Sequence, residues 1–162
     1  MNFDFVEEIF RVFARQPTLE CTIRELSKKA KLSYNATHRT VEELLKKEFL
    51  KKQKYGNVCV ISLNPLPETI SMLSLAAYEE TKNDERRKNR IQQSFALVLF
   101  KNNLTAITET KENKKITINN QEIEMMTVYE WIAEISKQNM TLKNMQILQG
   151  AEYLYSKLLK TL

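Results

Sequence analysis

The sequence predicts an α+β protein made of two parts: a three-helix unit with a small β-hairpin, then a small α/β unit. Three observations lead to this prediction. Apolar residues recur at helical spacing through the first half of the chain. A β-branched, alternating segment follows a Gly-Asn pair at positions 56 and 57. Two prolines in "NPLPETI" (64–70) then interrupt the pattern, so we expect two domains, 1–64 and 65–162.

Three helices are predicted in the first part from their caps and apolar stripes. "FDFVEEIFRVFARQP" has a candidate N-cap at Asp4 and stops before Pro17. "TIRELSKKAK" contains a capping box, in which Thr22 and Glu25 each bond the backbone amide of the other. Only "KLS" separates it from a third helix, which Ser33 is placed to cap. The core stripe predicted for the third helix is Thr37, Val41, Leu44 and Leu45.

A β-hairpin is predicted directly after the third helix. "FLKKQKYGNVCVISLN" reads as a strand, a tight turn at Gly56-Asn57 and a second strand. The second half is predicted to continue with a helix from "PETISMLSLAAYEE" through the charge run "KNDERRKNR" to "IQQSF", and then the buried strand "FALVLF". Further strands are expected at "LTAITET", "ITINN", "QEIEMM" and "NMQIL". The remaining helices are "VYEWIAEISKQ", behind a second capping box of Thr127 and Glu130, and "AEYLYSKLLKTL" after Gly150.

Composition excludes several classes of protein. No run reaches the roughly 18 apolar residues of a membrane span, and no charged-then-apolar leader opens the sequence. We therefore expect a soluble, cytoplasmic protein without a membrane partner. The chain has two cysteines, expected to be reduced and packed, and one histidine, His38. These cannot supply a structural zinc site, and His38 lies among helix-surface residues, so no catalytic residue, metal or cofactor is expected.

Positive charge is concentrated in one segment of the sequence. The chain carries a net charge of +5, and residues 24–54 hold 10 Lys and Arg against 4 Asp and Glu. A basic block on a structured segment is typical of proteins that bind polyanions. A solvated basic surface is the alternative, and charge alone does not decide between them.

The order of elements in 3–64 resembles the winged helix-turn-helix DNA-binding domain that is common in bacterial and archaeal transcription regulators. "ELSKKAKLSYNATHRTVEELLKKEFLKKQ" carries the resemblance, with a short helix, a tight turn, a capped recognition helix and the start of a wing. Glu48 departs from the pattern, because many such domains have glycine where the recognition helix ends. A slightly different exit from the helix is therefore expected.

The resemblance implies that helix 33–47 enters the major groove and that the wing, 51–60, lies on the DNA backbone. With the core stripe turned inward, polar residues of this helix face outward, where Asn can bond adenine and Arg can bond guanine through two hydrogen bonds. Lysines of the preceding helix, the turn and the wing would contact phosphates. The predicted DNA-binding residues are Lys28, Lys29, Lys31, Ser33, Tyr34, Asn35, Thr37, His38, Arg39, Lys51, Lys52, Lys54 and Asn57.

The second half, through "MTVYEWIAEISKQ" and "NMQILQGAEYLYSKLL", resembles the small nucleotidyltransferase domain found beside winged helices in archaeal proteins. In that family a Gly-Ser pair and an Asp-x-Asp pair follow the strand that matches "ALVLF". Here Lys101-Asn102-Asn103 follows it, and Glu109 and Glu112 are poor substitutes for paired aspartates. The resemblance thus implies a degenerate, non-catalytic domain for dimerisation, effector sensing or contact with another protein.

The expected function is a sequence-specific, double-stranded DNA-binding transcription regulator that acts at promoter regions. Residues 65–162 are expected to form a homodimer or to contact the transcription machinery. Two alternatives stay open: a protein-interaction module that uses its winged helix to bind protein, which requires an exposed apolar patch, and a nucleotidyltransferase that acts on a protein partner, against which the missing motifs argue.

Overall fold

A computed structural model describes residues 3–84, 96–100, 103–109, 115–118, 121–136 and 145–160. Within these ranges the protein is mixed α+β, with six helices and two β-sheets. The predicted α+β class is confirmed at this level. No helix in these ranges is long and apolar enough to cross a membrane.

The first part holds three helices and a hairpin. They are α1 (Phe3–Arg15), α2 (Ile23–Ala30), α3 (Tyr34–Lys46), β1 (Leu50–Tyr55) and β2 (Val58–Leu63). Helix α1 ends at Arg15, two residues before Pro17, as predicted. Asp4 lies within its first turn, so its prediction as the N-cap was wrong. The acidic side chain there still complements the positive end of the helix dipole.

Both helices of the central pair begin at the predicted caps. The amide of Glu25 donates to Thr22 Oγ1 at 3.2 Å, and the amide of Thr22 donates to Glu25 Oε2 at 2.8 Å, which completes the capping box. The amide of Ala36 donates to Ser33 Oγ at 3.3 Å. These bonds satisfy amides that the helices themselves leave without partners. The ends of α2 and α3 are therefore fixed by local sequence.

The hairpin forms around the predicted turn. Gly56 occupies its first position with φ +58°, a backbone angle that glycine adopts without steric cost. Strands β1 and β2 pair antiparallel, with Lys52 opposite Ile61 and Lys54 opposite Cys59. Cys21 adds a short bridge to the hairpin through two backbone hydrogen bonds with Ile61, of 3.1 and 2.8 Å. The segment before α2 is thereby attached to β2.

The second part combines three helices with a five-stranded sheet. Its elements are α4 (Pro67–Thr81), β3 (Ala96–Phe100), β4 (Asn103–Thr108), β5 (Lys115–Ile118), β6 (Gln121–Thr127), α5 (Val128–Ser136), β7 (Met145–Gln149) and α6 (Ala151–Lys160). The strand order is β5-β6-β4-β3-β7. Strands β4 and β6 run parallel, and the other pairs are antiparallel. The second predicted capping box is present, since the amide of Glu130 donates to Thr127 Oγ1 at 3.2 Å.

Some sequence predictions lie outside the described residues. The predicted helix from Pro67 ends at Thr81, and residues 82 and 83 form a turn, so its predicted continuation there was wrong. The rest of that prediction, 85–95, lies outside the described residues. The described residues also leave out Lys101, Asn102 and Glu112, in the segments after β3 and β4.

The two parts share one hydrophobic core. Helix α4 packs against α1, α6 and β7, and one cluster of buried side chains runs from Phe10 of α1 through Leu73 of α4 to Trp131 and Tyr155. Arg15 pairs with Glu80 of α4 at 2.7 Å on the surface of this contact. Helix α4 therefore lies between the hairpin-bearing part and the sheet.

Candidate functional site

Helix α3 has one buried and one exposed side, as its helical period requires. The buried side packs on the core and consists of Ala36, Thr37, Thr40, Val41 and Leu44. In the first two turns the exposed side consists of four residues, Tyr34, Asn35, His38 and Arg39, and Lys46 is exposed at the other end of the helix. Leu45, predicted in the core stripe, is half-buried at the edge of the core. The four exposed residues of the first two turns are the ones that the sequence predicts as the reading face.

A cleft of about 730 Å³ lies between α2, the start of α3 and the hairpin. Its lining includes three cations from two elements, Arg24 and Lys28 of α2 and Lys52 of β1. The other polar residues of the wall are Thr22, Ser27, Tyr34, His38 and Cys59. Because the three cations converge on one concavity, their fields add there, and the cleft attracts anions.

Tyr34 and His38 form a pair at the mouth of this cleft. They are four residues apart on α3, which brings them onto the same face of the helix. Their ring centroids are 5.9 Å apart with the planes inclined at 47°. Each side chain restricts the rotamers of the other, so that the two rings present one aromatic surface beside the cations.

The register of the hairpin sorts the wing lysines onto two faces. Lys52 and Lys54 share a face with their cross-strand partners Ile61 and Cys59, because paired residues in a sheet lie on the same side. Lys52 Nζ lies 3.9 Å from Glu42 of α3, an exposed and therefore weak ion pair. Lys51 lies on the other face and borders a separate groove. The structure therefore does not bring Lys51 to the cleft.

Two further predicted lysines lie in different surroundings. Lys29 Nζ donates to Gln16 Oε1 at 3.1 Å, which holds this side chain beside α1 and away from the cleft. Lys31 is exposed in the turn between α2 and α3, with φ +56°. Ser33 and Asn57 are both exposed, the first at the N-terminus of α3 and the second at the tip of the hairpin. Lys29, like Lys51, is thus separated from the other predicted phosphate contacts.

The prediction that Thr37 contacts DNA was wrong. Its side chain is fully buried, and its hydroxyl donates to the carbonyl oxygen of Ser33 at 3.0 Å. A hydroxyl bonded back to its own helix beneath the surface cannot reach a ligand on the other side. Thr37 is a core residue, as its place in the apolar stripe indicates.

Among the lining residues of the cleft that sequence reasoning missed are Arg24 and Cys59. A signal for Arg24 exists, because it precedes Lys28 by four residues on α2 and therefore shares a face with it. Cys59 was expected to be packed, yet it is exposed, whereas Cys21 is buried. The burial of Cys21 raises the pKa of its thiol to about 11. Both cysteines are free thiols.

Metal-binding chemistry has little support in the ranges that the structure describes. No group of three or more His, Cys, Asp and Glu side chains comes together there. Glu109, at the end of β4, accepts a long hydrogen bond of 3.4 Å from the hydroxyl of Tyr153.

Comparisons with protein-family models, curated proteins and solved structures gave no match to this chain. Any functional assignment therefore rests on the chain's own residues.

Proposed function

We propose that the chain is a sequence-specific, double-stranded DNA-binding transcription regulator whose residues 1–64 form a winged helix-turn-helix. Helix α3 would read the major groove, and the hairpin segment 51–60 would follow the DNA backbone. One observation carries the proposal. The exposed side of α3 presents Asn35, His38 and Arg39, and cations of two neighbouring elements border the same surface.

The dimensions and chemistry of α3 suit this role. The major groove of B-DNA is about 12 Å wide and admits one α-helix with its side chains. Asn35 and Arg39 are four residues apart on the exposed side, so both can face base edges from one helix position. Arg39 is the candidate for a two-bond contact with guanine, and Asn35 for one with adenine. Tyr34 and His38, which lie beside the cleft, are placed for sugar, phosphate or thymine-methyl contacts.

Phosphate contacts fall to the residues around the cleft. Lys28, Lys52 and Lys54 are the predicted lysines on this surface, and Arg24 joins them. The N-terminus of α3, with the exposed Ser33 hydroxyl and Lys31 nearby, offers a further place for an anion. Lys29 and Lys51 lie away from the cleft, so we assign them no phosphate contact there.

Residues 65–162 are proposed to act as a support without catalytic chemistry, in a fold that resembles a degenerate nucleotidyltransferase domain. The shared core supports this role, because α4 packs on α1 and on the sheet, and α1 in turn packs on the reading helix. Magnesium-dependent transfer of a labelled nucleotide to the protein or to any target would contradict this part of the proposal.

Selection of genomic DNA fragments by the purified full-length protein, across a salt series and followed by sequencing, tests the function. An enriched short motif, with affinity that falls steeply as salt rises, is the expected result. If the bound fragments show salt-dependent affinity but share no motif, the protein coats DNA without sequence specificity, and the proposal of sequence-specific regulation is wrong. Absence of binding at about 100 mM salt would overturn the proposal, because several phosphate contacts should give measurable affinity there.

A further inference from the structure

Helix α4 is apolar on two opposite sides. Leu73, Ala76 and Ala77 pack into the core. On the outer side, Leu75 is 54% exposed and Tyr78 is 49% exposed. A helix with apolar residues on its solvent side normally covers that side with another element or another chain.

The outer side of α4 has the spacing of a helix–helix seam. Its exposed residues alternate at intervals of three and four and form a single stripe along the helix. We call this stripe the α4 seam, and it consists of Glu68, Ser71, Leu75, Tyr78 and Lys82. Lys82 belongs to it because the backbone there keeps helical angles, with φ −56° and ψ −30°.

The charges of the α4 seam are arranged for an antiparallel partner with the same sequence. Glu68 precedes Leu75 by seven residues, and Lys82 follows it by seven. Lys82 Nζ already lies 2.6 Å from Glu79 Oε2 of its own chain, but an ammonium group has three N–H donors and can bond a second carboxylate as well. In an antiparallel pair with Leu75 at the two-fold axis, Glu68 of each copy meets Lys82 of the other. A parallel pair would instead place Glu68 against Glu68 and Lys82 against Lys82, which is unfavourable.

A groove next to the seam supplies the complementary shape. It has a volume of about 220 Å³, lies between α1 and α4, and is lined by Phe3, Met72 and Leu75 among others. In the antiparallel arrangement, Tyr78 of the second copy comes opposite Met72 and therefore faces this groove. Phe3 is 75% exposed at its edge and can cover the inserted ring.

We infer that a second copy of this chain docks on the α4 seam, in an antiparallel pair of α4 helices centred on Leu75. The inference does not depend on DNA binding. A contact made mainly by one 15-residue helix, about 22 Å long, buries less than the roughly 800 Å² per partner of a standard interface. The dimer should therefore form with a micromolar dissociation constant and be visible as a concentration-dependent equilibrium.

Sedimentation equilibrium of the full chain over about 1–300 µM tests the inference. The wild type should pass from monomer to dimer, and Leu75→Glu should remain monomeric because it places two carboxylates at the two-fold axis. Tyr129→Glu is the matched control. It puts a glutamate at an aromatic residue of α5 that is 74% exposed and lies outside the seam, and the dissociation constant should not change.

Exchanging the charges of Glu68 and Lys82 tests the antiparallel register separately from the substitution at Leu75. Glu68→Lys and Lys82→Glu should each weaken the dimer about tenfold, since each replaces two attractive pairs by two repulsive ones. The double variant should recover much of the lost association, although it cannot restore the pair between Lys82 and Glu79 within each chain. Thermal unfolding checks that every variant is folded. Three results would overturn the inference: a monomer at every concentration, a dimer indifferent to Leu75→Glu, or a double variant no better than the single ones. Capture of an unrelated helix by a monomeric chain would assign the seam to a different partner.

Discussion

The hydroxyl of Tyr155 in α6 donates a hydrogen bond of 2.8 Å to the carbonyl oxygen of Ala14 in α1. Both residues are buried, and Ala14 lies in the last turn of its helix, where carbonyl groups lack a donor from within the helix. The bond thus satisfies a buried acceptor of the first part with a donor from the second. It fixes the end of α1 relative to the sheet.

Tyr155→Phe should lower the free energy of unfolding by about 1–2 kcal/mol, because the ring is kept while the Ala14 carbonyl loses its donor. Urea denaturation measures the change. Tyr153→Phe is the control: its hydroxyl makes a long bond of 3.4 Å to Glu109 near the surface, so its effect should stay within about 0.5 kcal/mol. Equal losses for both variants would contradict the role given to Tyr155.

The stabilisation supplied by Tyr155 should also depend on pH. Burial raises the pKa of this phenol above its ordinary value. A raised pKa in the folded state means that the contribution is complete below the unfolded value of about 10 and is lost as pH rises above it. The difference in unfolding free energy between the wild type and Tyr155→Phe should therefore shrink above about pH 10. A difference that stays constant from pH 8 to about pH 11 would contradict this prediction.

The two cysteines should react at very different rates. Cys59 is exposed in the cleft, whereas Cys21 is buried and burial raises its thiol pKa to about 11. At about pH 8, iodoacetamide should modify Cys59 in the native protein and reach Cys21 only when the chain unfolds, because the thiolate is the reactive form. Peptide mass spectrometry after timed labelling measures both sites. Native labelling of Cys21 at the rate of Cys59 would contradict the burial.

Glu48→Gly should stabilise the protein by up to about 1 kcal/mol. Glu48 has φ +61°, and helix α3 ends there with the amide of Phe49 bonded to the Leu44 carbonyl at 3.0 Å. This is a helix ending that favours glycine at the left-handed position. Lys47→Gly is the control one residue earlier, where φ is −91°, and it should be neutral or destabilising. Thermal unfolding of both variants gives the comparison.

Removal of one positive charge should affect DNA binding differently at three places. Arg39→Ala should cost about 1–3 kcal/mol on the selected site and relax one base position. Lys54→Ala should weaken specific and random DNA alike and reduce the salt dependence. Lys51→Ala removes the same charge from the other face of the hairpin and should change little. Fluorescence anisotropy with selected and scrambled duplexes separates the three effects, and identical losses for all three variants would contradict this assignment.

Local signals in the sequence predict most elements of this fold. The two capping boxes, the Gly56-Asn57 turn and the strand "ALVLF" each depend on residues close together in the chain, and each is observed. The order of the five-stranded sheet is not predictable in this way. The parallel pairing of β4 with β6 is set by packing between distant segments.

The candidate site likewise combines features that local sequence predicts with others that depend on contacts between distant segments. Periodicity places Tyr34 and Arg39 on the outside of α3, and it also places Thr37 inside, so the wrong assignment of Thr37 conflicts with a pattern already visible. The separation of Lys52 from Lys51 follows from the turn, because a two-residue turn fixes which residues pair. The bond from Lys29 of α2 to Gln16, the residue after α1, has no local signal.

The bond between Ala14 and Tyr155 also has a consequence for how the chain is made. The two residues are 141 positions apart, which corresponds to roughly 7–28 s of translation at typical rates. Throughout that interval the end of α1 lacks the helix that completes its surroundings, although the capped helices and the hairpin can already form. The nascent N-terminal part therefore leaves the ribosome with an uncovered side. The final packing of α1 therefore has to wait until α6 has emerged. A ribosome that stalls before α6 would release a chain with this side uncovered, which chaperones are suited to bind.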